Sequence, residues 1–326
     1  MKKILALLLA LWIPAAVLSG CVPQDDSAAS NKLNIVTTIF PAYDWVREIL
    51  GDETDRAEIT TLLDSGVDLH SYQPTVDDIV KISDCDLFLY VGGESDGWVE
   101  DALKNAPNKE RKVIRLLDVL GDSAKAEETV EGMQEEEHDH EEEAEYDEHI
   151  WLSLKNAQVL VAAISEALQE SDPARKDTYA ANAAAYAEKL SALDGEYRAA
   201  VDSGKYKTLL FGDRFPFRYL ADDYGLDYYA AFPGCSAETE ASFETVSFLA
   251  GKMDALGLPC VLTIEGTQHK IAETIVQNTA QKNQQVLTMD SMQAVTANDA
   301  ASGVSYLSIM EKNLSVLKKA LGQEAE

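Results

Sequence analysis

Eight short runs of β-branched and apolar residues recur along this chain, and stretches with helical spacing separate them. In the first half they are Leu33–Thr38, Ala57–Leu63, Leu87–Val91 and Lys112–Leu117. In the second half they are Thr208–Phe211, Tyr228–Phe232, Val261–Glu265 and Val286–Met289. Helical patterns fill gaps such as Ala42–Leu50, Val76–Ile82, Phe243–Leu256 and Gln268–Thr279. Two parallel strands need a long crossover between them, and a helix is the usual one. The alternation therefore predicts an α/β chain of two domains, each a four-stranded parallel sheet flanked by helices. A length of 326 residues suits two domains at roughly 150 residues each.

One long helix is expected between the halves. Tyr179, Ala183, Tyr186, Leu190, Leu193, Tyr197 and Val201 recur at three- and four-residue steps, so one face should be buried. Ser171 or Asp172 can cap its start, Pro173 suits the first turn and Gly204 suits the stop. From Pro173 to Ser203 it would run about 45 Å at about 1.5 Å per residue. The expected division is 33–170 for the first domain, 171–204 for the linking helix and 205–326 for the second.

Residues 1–20 read as an export signal: Lys2 and Lys3 lead an apolar run from Ile4 to Leu18 that Pro14 interrupts. The run ends Leu18-Ser19-Gly20-Cys21, which looks like the bacterial lipoprotein processing box. That resemblance implies a lipid-anchored Cys21 on the extracytoplasmic face of the cell membrane, with residues 21–32 as a polar tether. Of the other cysteines, Cys235 should follow one strand and Cys260 precede another. In parallel strands that puts them on the order of 15 Å apart, beyond disulfide reach, so free thiols are expected.

The net charge of −30 argues against nucleic acid as a partner, because phosphates would be repelled. Much of that charge lies between Glu127 and Glu148. Within an acidic, His-rich loop of about 124–148, the stretch from Glu135 through Glu145, with His138 and His140, has nothing apolar that could fold into a core and is expected to be mobile. Where it ends, His149 runs straight into Ile150-Trp151-Leu152, which should be buried.

Ligands of open parallel sheets bind beyond the carboxyl ends of the strands. His70 falls in a loop after the second strand; Asp213 and Arg214 follow the fifth, Cys235 follows the sixth, Glu265 ends the seventh and Asp290 ends the eighth. Two imidazoles from the first half and carboxylates from the second would converge on the cleft. Such a set suits zinc and also manganese. Each residue has an ordinary structural alternative: His269 reads as a surface histidine at a helix start, Glu265 could cap the helix beginning near Gln268, and Asp290 could cap a following turn.

At these residues the chain resembles the zinc and manganese solute-binding lipoproteins of ABC importers, the cluster A-I metal receptors. Gly66 to Thr75 matches the loop of the first ligand histidine, His70. Asp147, His149, Trp151 and Leu152 match the segment of the second, and Leu287 with Asp290 matches the turn of the fourth ligand. The acidic, His-rich insertion is typical of the zinc branch, and Tyr306 with Asn313 resembles the final helix. The resemblance implies an extracytoplasmic receptor that does no covalent chemistry. It would bind zinc, or manganese, as cargo and hand it to a membrane permease, with only modest closure and with the acidic loop concentrating zinc. At the third ligand position stands Arg214, which has no lone pair to offer a cation. Glu265 is the preferred substitute, with Asp213 and Cys235 as fallbacks, so the expected metal set is His70, His149, Glu265 and Asp290. A degenerate surface interaction protein is a more distant alternative. So is a zinc hydrolase, although the sequence has no His-Glu-x-x-His helix.

Overall fold

In the computed structural model, residues 32–104, 106–134, 145–236, 240–266 and 269–323 are described. The export signal, Cys21, the tether as far as Asn31, and His138 and His140 lie outside them.

The first half runs β1 (Leu33–Thr37), α1 (Phe40–Leu50), β2 (Ala57–Thr61), α2 (Val76–Asp84), β3 (Leu87–Tyr90), α3 (Val99–Lys104), β4 (Lys112–Arg115), α4 (Leu116–Leu120) and α5 (Leu154–Ser171). Then α6 (Lys176–Ser203) leads to β5 (Thr208–Arg214), α7 (Arg218–Tyr224), β6 (Asp227–Phe232), α8 (Phe243–Leu256), β7 (Cys260–Thr263), α9 (Lys270–Asn278), β8 (Gln285–Thr288), α10 (Ala297–Ala301) and α11 (Tyr306–Ala320). All eight expected strands form, in two parallel four-stranded sheets ordered β2-β1-β3-β4 and β6-β5-β7-β8.

The period of two along a strand sorts residues between the faces of the second sheet. Leu209 and Phe211 of β5 point into the main core, while Leu210 joins Ala231, Val261 and the apolar stripes of α8 and α9 in a smaller cluster. The main core is continuous through both halves, from Ile35 and Phe88 to Met310 and Leu317. Residues 32–326 accordingly make one compact unit.

Helix α6 buries the whole expected stripe from Tyr179 to Val201. Its ends differ from expectation. Pro173–Arg175 forms a separate tight turn, and neither Ser171 nor Asp172 caps α6. The Asp172 carboxylate instead accepts from Arg175 (2.8 Å) and the Tyr179 hydroxyl (3.0 Å). Gly204 does end the helix, but in an extended conformation rather than a left-handed one. Its lack of a side chain matters because a Cβ there would come within 2.9 Å of the Leu321 Cβ.

The expected loop of about 124–148 is anchored on both sides of its acidic stretch. Its flanks are tied down: Ala126 bridges Tyr146, the Glu127 amide donates to the Glu145 carbonyl (2.7 Å) and the Asp147 amide to the Lys125 carbonyl (2.9 Å). They pack on the second half, where Tyr219 donates to the Asp147 carbonyl (3.0 Å) and Gln134 donates to the Ala231 carbonyl (2.9 Å). Residues 135–144 lie outside the described residues.

A candidate metal centre between the two halves

His70 sits on a three-residue turn, Leu69–Ser71, in the loop after β2. Asp68 starts the turn, and one of its carboxylate oxygens accepts the His70 amide at 3.0 Å. Asp147 plays the same part for the second histidine, accepting the His149 amide at 2.8 Å. His149 is fully buried and is followed by the buried Ile150-Trp151-Leu152.

The Nε2 atoms of His70 and His149 face each other at 3.2 Å. Behind each ring is a partner for Nδ1. That of His149 meets the Asp147 carboxylate at 3.0 Å. That of His70 meets Ser95 Oγ at 2.9 Å, with Glu148 Oε2 at 3.4 Å. A carboxylate can only accept, so it holds the proton on Nδ1 and frees the far nitrogen. Asp147 fixes the proton of His149 in this way, and when His70 Nδ1 likewise donates to the Ser95 hydroxyl, two Nε2 lone pairs point at one place. Two nitrogens on one tetrahedral zinc lie ~3.3 Å apart, given zinc–nitrogen bonds of ~2.0–2.1 Å. The observed 3.2 Å matches the spacing of two nitrogens on one such cation, and it also allows the rings to hydrogen-bond each other directly.

The electrostatics agree. Burial, together with the charges of His149 and Arg214, pushes His70 down to about 3 against the pull of Asp68, so its imidazole is a free base at neutral pH. Burial pushes Glu148 up, partly offset by the bonds from Ser95.

Arg214 is the last residue of β5, which runs on past the expected end at Phe211, and it offers no lone pair to a cation. Its guanidinium bonds Asp68 and reaches the Ser236 carbonyl at 3.4 Å. Burial raises Asp68, yet the Arg214 hydrogen bond and charge outweigh it and hold the carboxyl below its usual range. Arg214 thus clamps the His70 turn from the opposite half.

Of the four expected ligands, the structure brings His70 and His149 together and leaves the other two outside their group. Glu265 is occupied elsewhere. Its carboxylate accepts the Ser291 amide (2.6 Å) and hydroxyl (2.7 Å), the Gln293 amide (3.1 Å) and the Ala294 amide (3.3 Å), so it caps the turn after β8. The sequence allowed Glu265 a cap on the helix beginning near Gln268; that helix, α9, follows His269 without a side-chain cap, and Glu265 serves the turn after β8 instead. Asp290 lies on that same turn. Its amide and carbonyl are held by Asn313 of α11 (2.8 Å each), and burial with the charge of Glu265 pushes its carboxyl up to about 6. Trp151 Nε1 donates to the Ser291 carbonyl at 2.9 Å, which ties the turn to the segment of His149.

Among the described residues, the group whose metal-binding atoms lie within 4.8 Å of one another is His70, His149 and Cys235. Cys235 was only a fallback in the sequence. The signal that could have ranked it higher is its place just past the end of β6, level with the end of β5. Ser95 carried no signal at all. The site opens on a cavity of about 570 Å³ lined by His70, Glu94, Ser95, Glu127, Glu148 and Cys235 among others.

Residues 35–320 match the family described as the periplasmic component A of the zinc-uptake complex. The chain belongs to that family. It is 34% identical over 329 residues to the zinc-binding lipoprotein AdcA of Streptococcus pneumoniae, covering 99% of this chain and 62% of the relative. A Streptococcus pyogenes zinc-binding protein AdcA is covered over 56% of its length, so the chain spans about three fifths of these relatives. It is 29% identical to the high-affinity zinc uptake system protein ZnuA of Bacillus subtilis, covering 89% of this chain and 88% of that one. In structure it matches the Zn(II)-bound ZnuA-like domain of S. pneumoniae AdcA with a TM-score of 0.70 at 30% identity, over 90% of this chain and 100% of that domain.

Proposed function

We propose that this protein is an extracytoplasmic zinc receptor that captures the ion in the cleft between its halves and delivers it to an ABC importer. The observation that carries the reading is the pair of imidazole nitrogens 3.2 Å apart, the Nδ1 of each ring held by its own polar partner. The names of the relatives support zinc as cargo. Zinc accepts imidazole more readily than manganese, which prefers carboxylate and water oxygens. His70 and His149 are two of the ligands, and Asp290, on the turn tied to Trp151, is our candidate for a carboxylate ligand. The receptor does no covalent chemistry. Zinc binding weakens as pH falls, because every ligand must be deprotonated.

The test is isothermal titration of zinc into the mature protein. His70→Ala and His149→Ala each remove a ligand, and affinity is expected to fall at least ~100-fold. The zinc-induced rise in melting temperature should shrink with it, since stabilisation follows the ratio of free metal to dissociation constant. If both variants bind zinc as the parent does, the receptor reading is wrong.

The anchor belongs to the same reading. Lipid on Cys21 holds the receptor beside its permease. The wild-type protein is expected in the membrane fraction and Cys21→Ala in the soluble one; a wild-type chain that is freely soluble excludes the anchor.

A further inference from the structure

We infer that Cys235 supplies the third metal ligand, as a thiolate, in the position that Arg214 has vacated. The inference rests on the zinc-receptor reading and adds to it a soft sulfur donor that the sequence ranked behind Glu265.

Three observations carry it. First, the other candidates are engaged: the Asp213 carboxylate accepts the amides of Arg214 (2.9 Å) and Ile264 (3.4 Å), and the Glu265 carboxylate accepts four hydrogen bonds from the turn after β8. Second, Cys235 Sγ lies within 4.8 Å of a ring nitrogen of each of His70 and His149. Third, the backbone is shaped to bring it there. Gly234 presses against the second histidine: a Cβ on it would stand 3.3 Å from both Nδ1 and Cε1 of His149 and 2.9 Å from the Phe215 carbonyl. A side chain at 234 would collide with the Phe215 carbonyl and crowd the ring, so the chain passes close to His149 just before Cys235. The Cys235 amide is fixed by Glu127 Oε1 at 2.7 Å, from the flank of the acidic segment.

The other two described cysteines have no such setting. Cys85 and Cys260 are buried, and all three are free thiols. Burial, with the charges of Asp147, Glu127 and Glu148, pushes the Cys235 thiol well up, so the metal-free site holds the protonated form. Metal capture then forms a sulfur–zinc bond, breaks the S–H bond and releases that proton to solvent, with no change of oxidation state. A site of two imidazoles and one thiolate strongly disfavours manganese, a hard cation suited to oxygen donors.

Cobalt(II) substitution of the mature protein tests the inference without any mutation. A thiolate ligand gives an intense sulfur-to-cobalt charge-transfer band in the near ultraviolet, beside the weaker visible d–d bands. We expect that band in the parent, in Cys85→Ser and in Cys260→Ser, and its loss in Cys235→Ser with a fall in zinc affinity of at least ~100-fold. Zinc should also protect Cys235 from alkylation in the parent. Cobalt that binds the parent with d–d bands alone, or Cys235→Ser that holds zinc as tightly as the parent, overturns the thiolate assignment and leaves the receptor reading in place. A parent that binds neither cobalt nor zinc overturns both.

Discussion

Asp68 and Asp147 each accept the amide of a histidine two residues on, so each histidine is presented by a short turn whose first side chain fixes its backbone. They differ in what else they hold. Asp147 reaches the His149 ring and sets its proton, while Asp68 takes Arg214 from the other half. Asp44 of α1 is another buried acid, and its carboxylate accepts the amide of Tyr306 at 2.8 Å. Burial is the dominant influence and pushes it up from 3.8 to about 6. The folded state therefore holds this proton more tightly than the unfolded chain. The stability it contributes is fully present below about pH 4 and is lost as pH rises through about 6. Asp44→Asn has no such proton to lose. Relative to the parent, its unfolding free energy by urea titration should improve by on the order of 2–3 kcal/mol between pH 4 and pH 7. An unchanged difference across that range would show that Asp44 is not perturbed.

At the scale of elements, the acidic segment separates into parts with different physics. Its flanks, 124–134 and 145–148, make backbone hydrogen bonds to each other and to the second half, and Glu127 and Glu148 face the metal cavity. Residues 135–144 carry seven glutamates or aspartates, two histidines and an alanine, so they offer almost nothing to bury. Replacing 135–144 by a glycine–serine linker of the same length should leave the fold and the tight zinc site intact, because no ligand of that site lies there. Weaker additional zinc binding should disappear. Calorimetry that shows the tight site gone would sink this division of labour. Helix α6 illustrates the opposite case, an element whose buried stripe was readable residue by residue. A regular 3.6-residue repeat needs no tertiary information to be recognised, whereas its ends do: Asp172 turned to Arg175 and Tyr179, which share its surroundings only once the chain is folded.

Across the whole molecule, both sheets, their parallel sense and the helix between them were determined by the sequence alone. Alternating short apolar runs with amphipathic stretches leave few other ways to bury both faces of a strand. His70 and His149 were legible for a related reason: each sits in a local motif of fixed spacing, and local motifs fold into local turns. The partition of the carboxylates and the thiol was not legible. Glu265, Asp290, Arg214 and Cys235 all stand at carboxyl ends of second-half strands, and the sequence treats those ends as equivalent. Only the folded chain distinguishes them, because hydrogen bonds across elements occupy some and leave others free. Four donors from the turn after β8 occupy Glu265, Asp68 of the opposite half occupies Arg214, and the close approach of Gly234 to the His149 ring leaves Cys235 beside the two imidazoles. Competition among neighbours distant in sequence decides which side chain remains available to a metal, and that competition exists only in three dimensions.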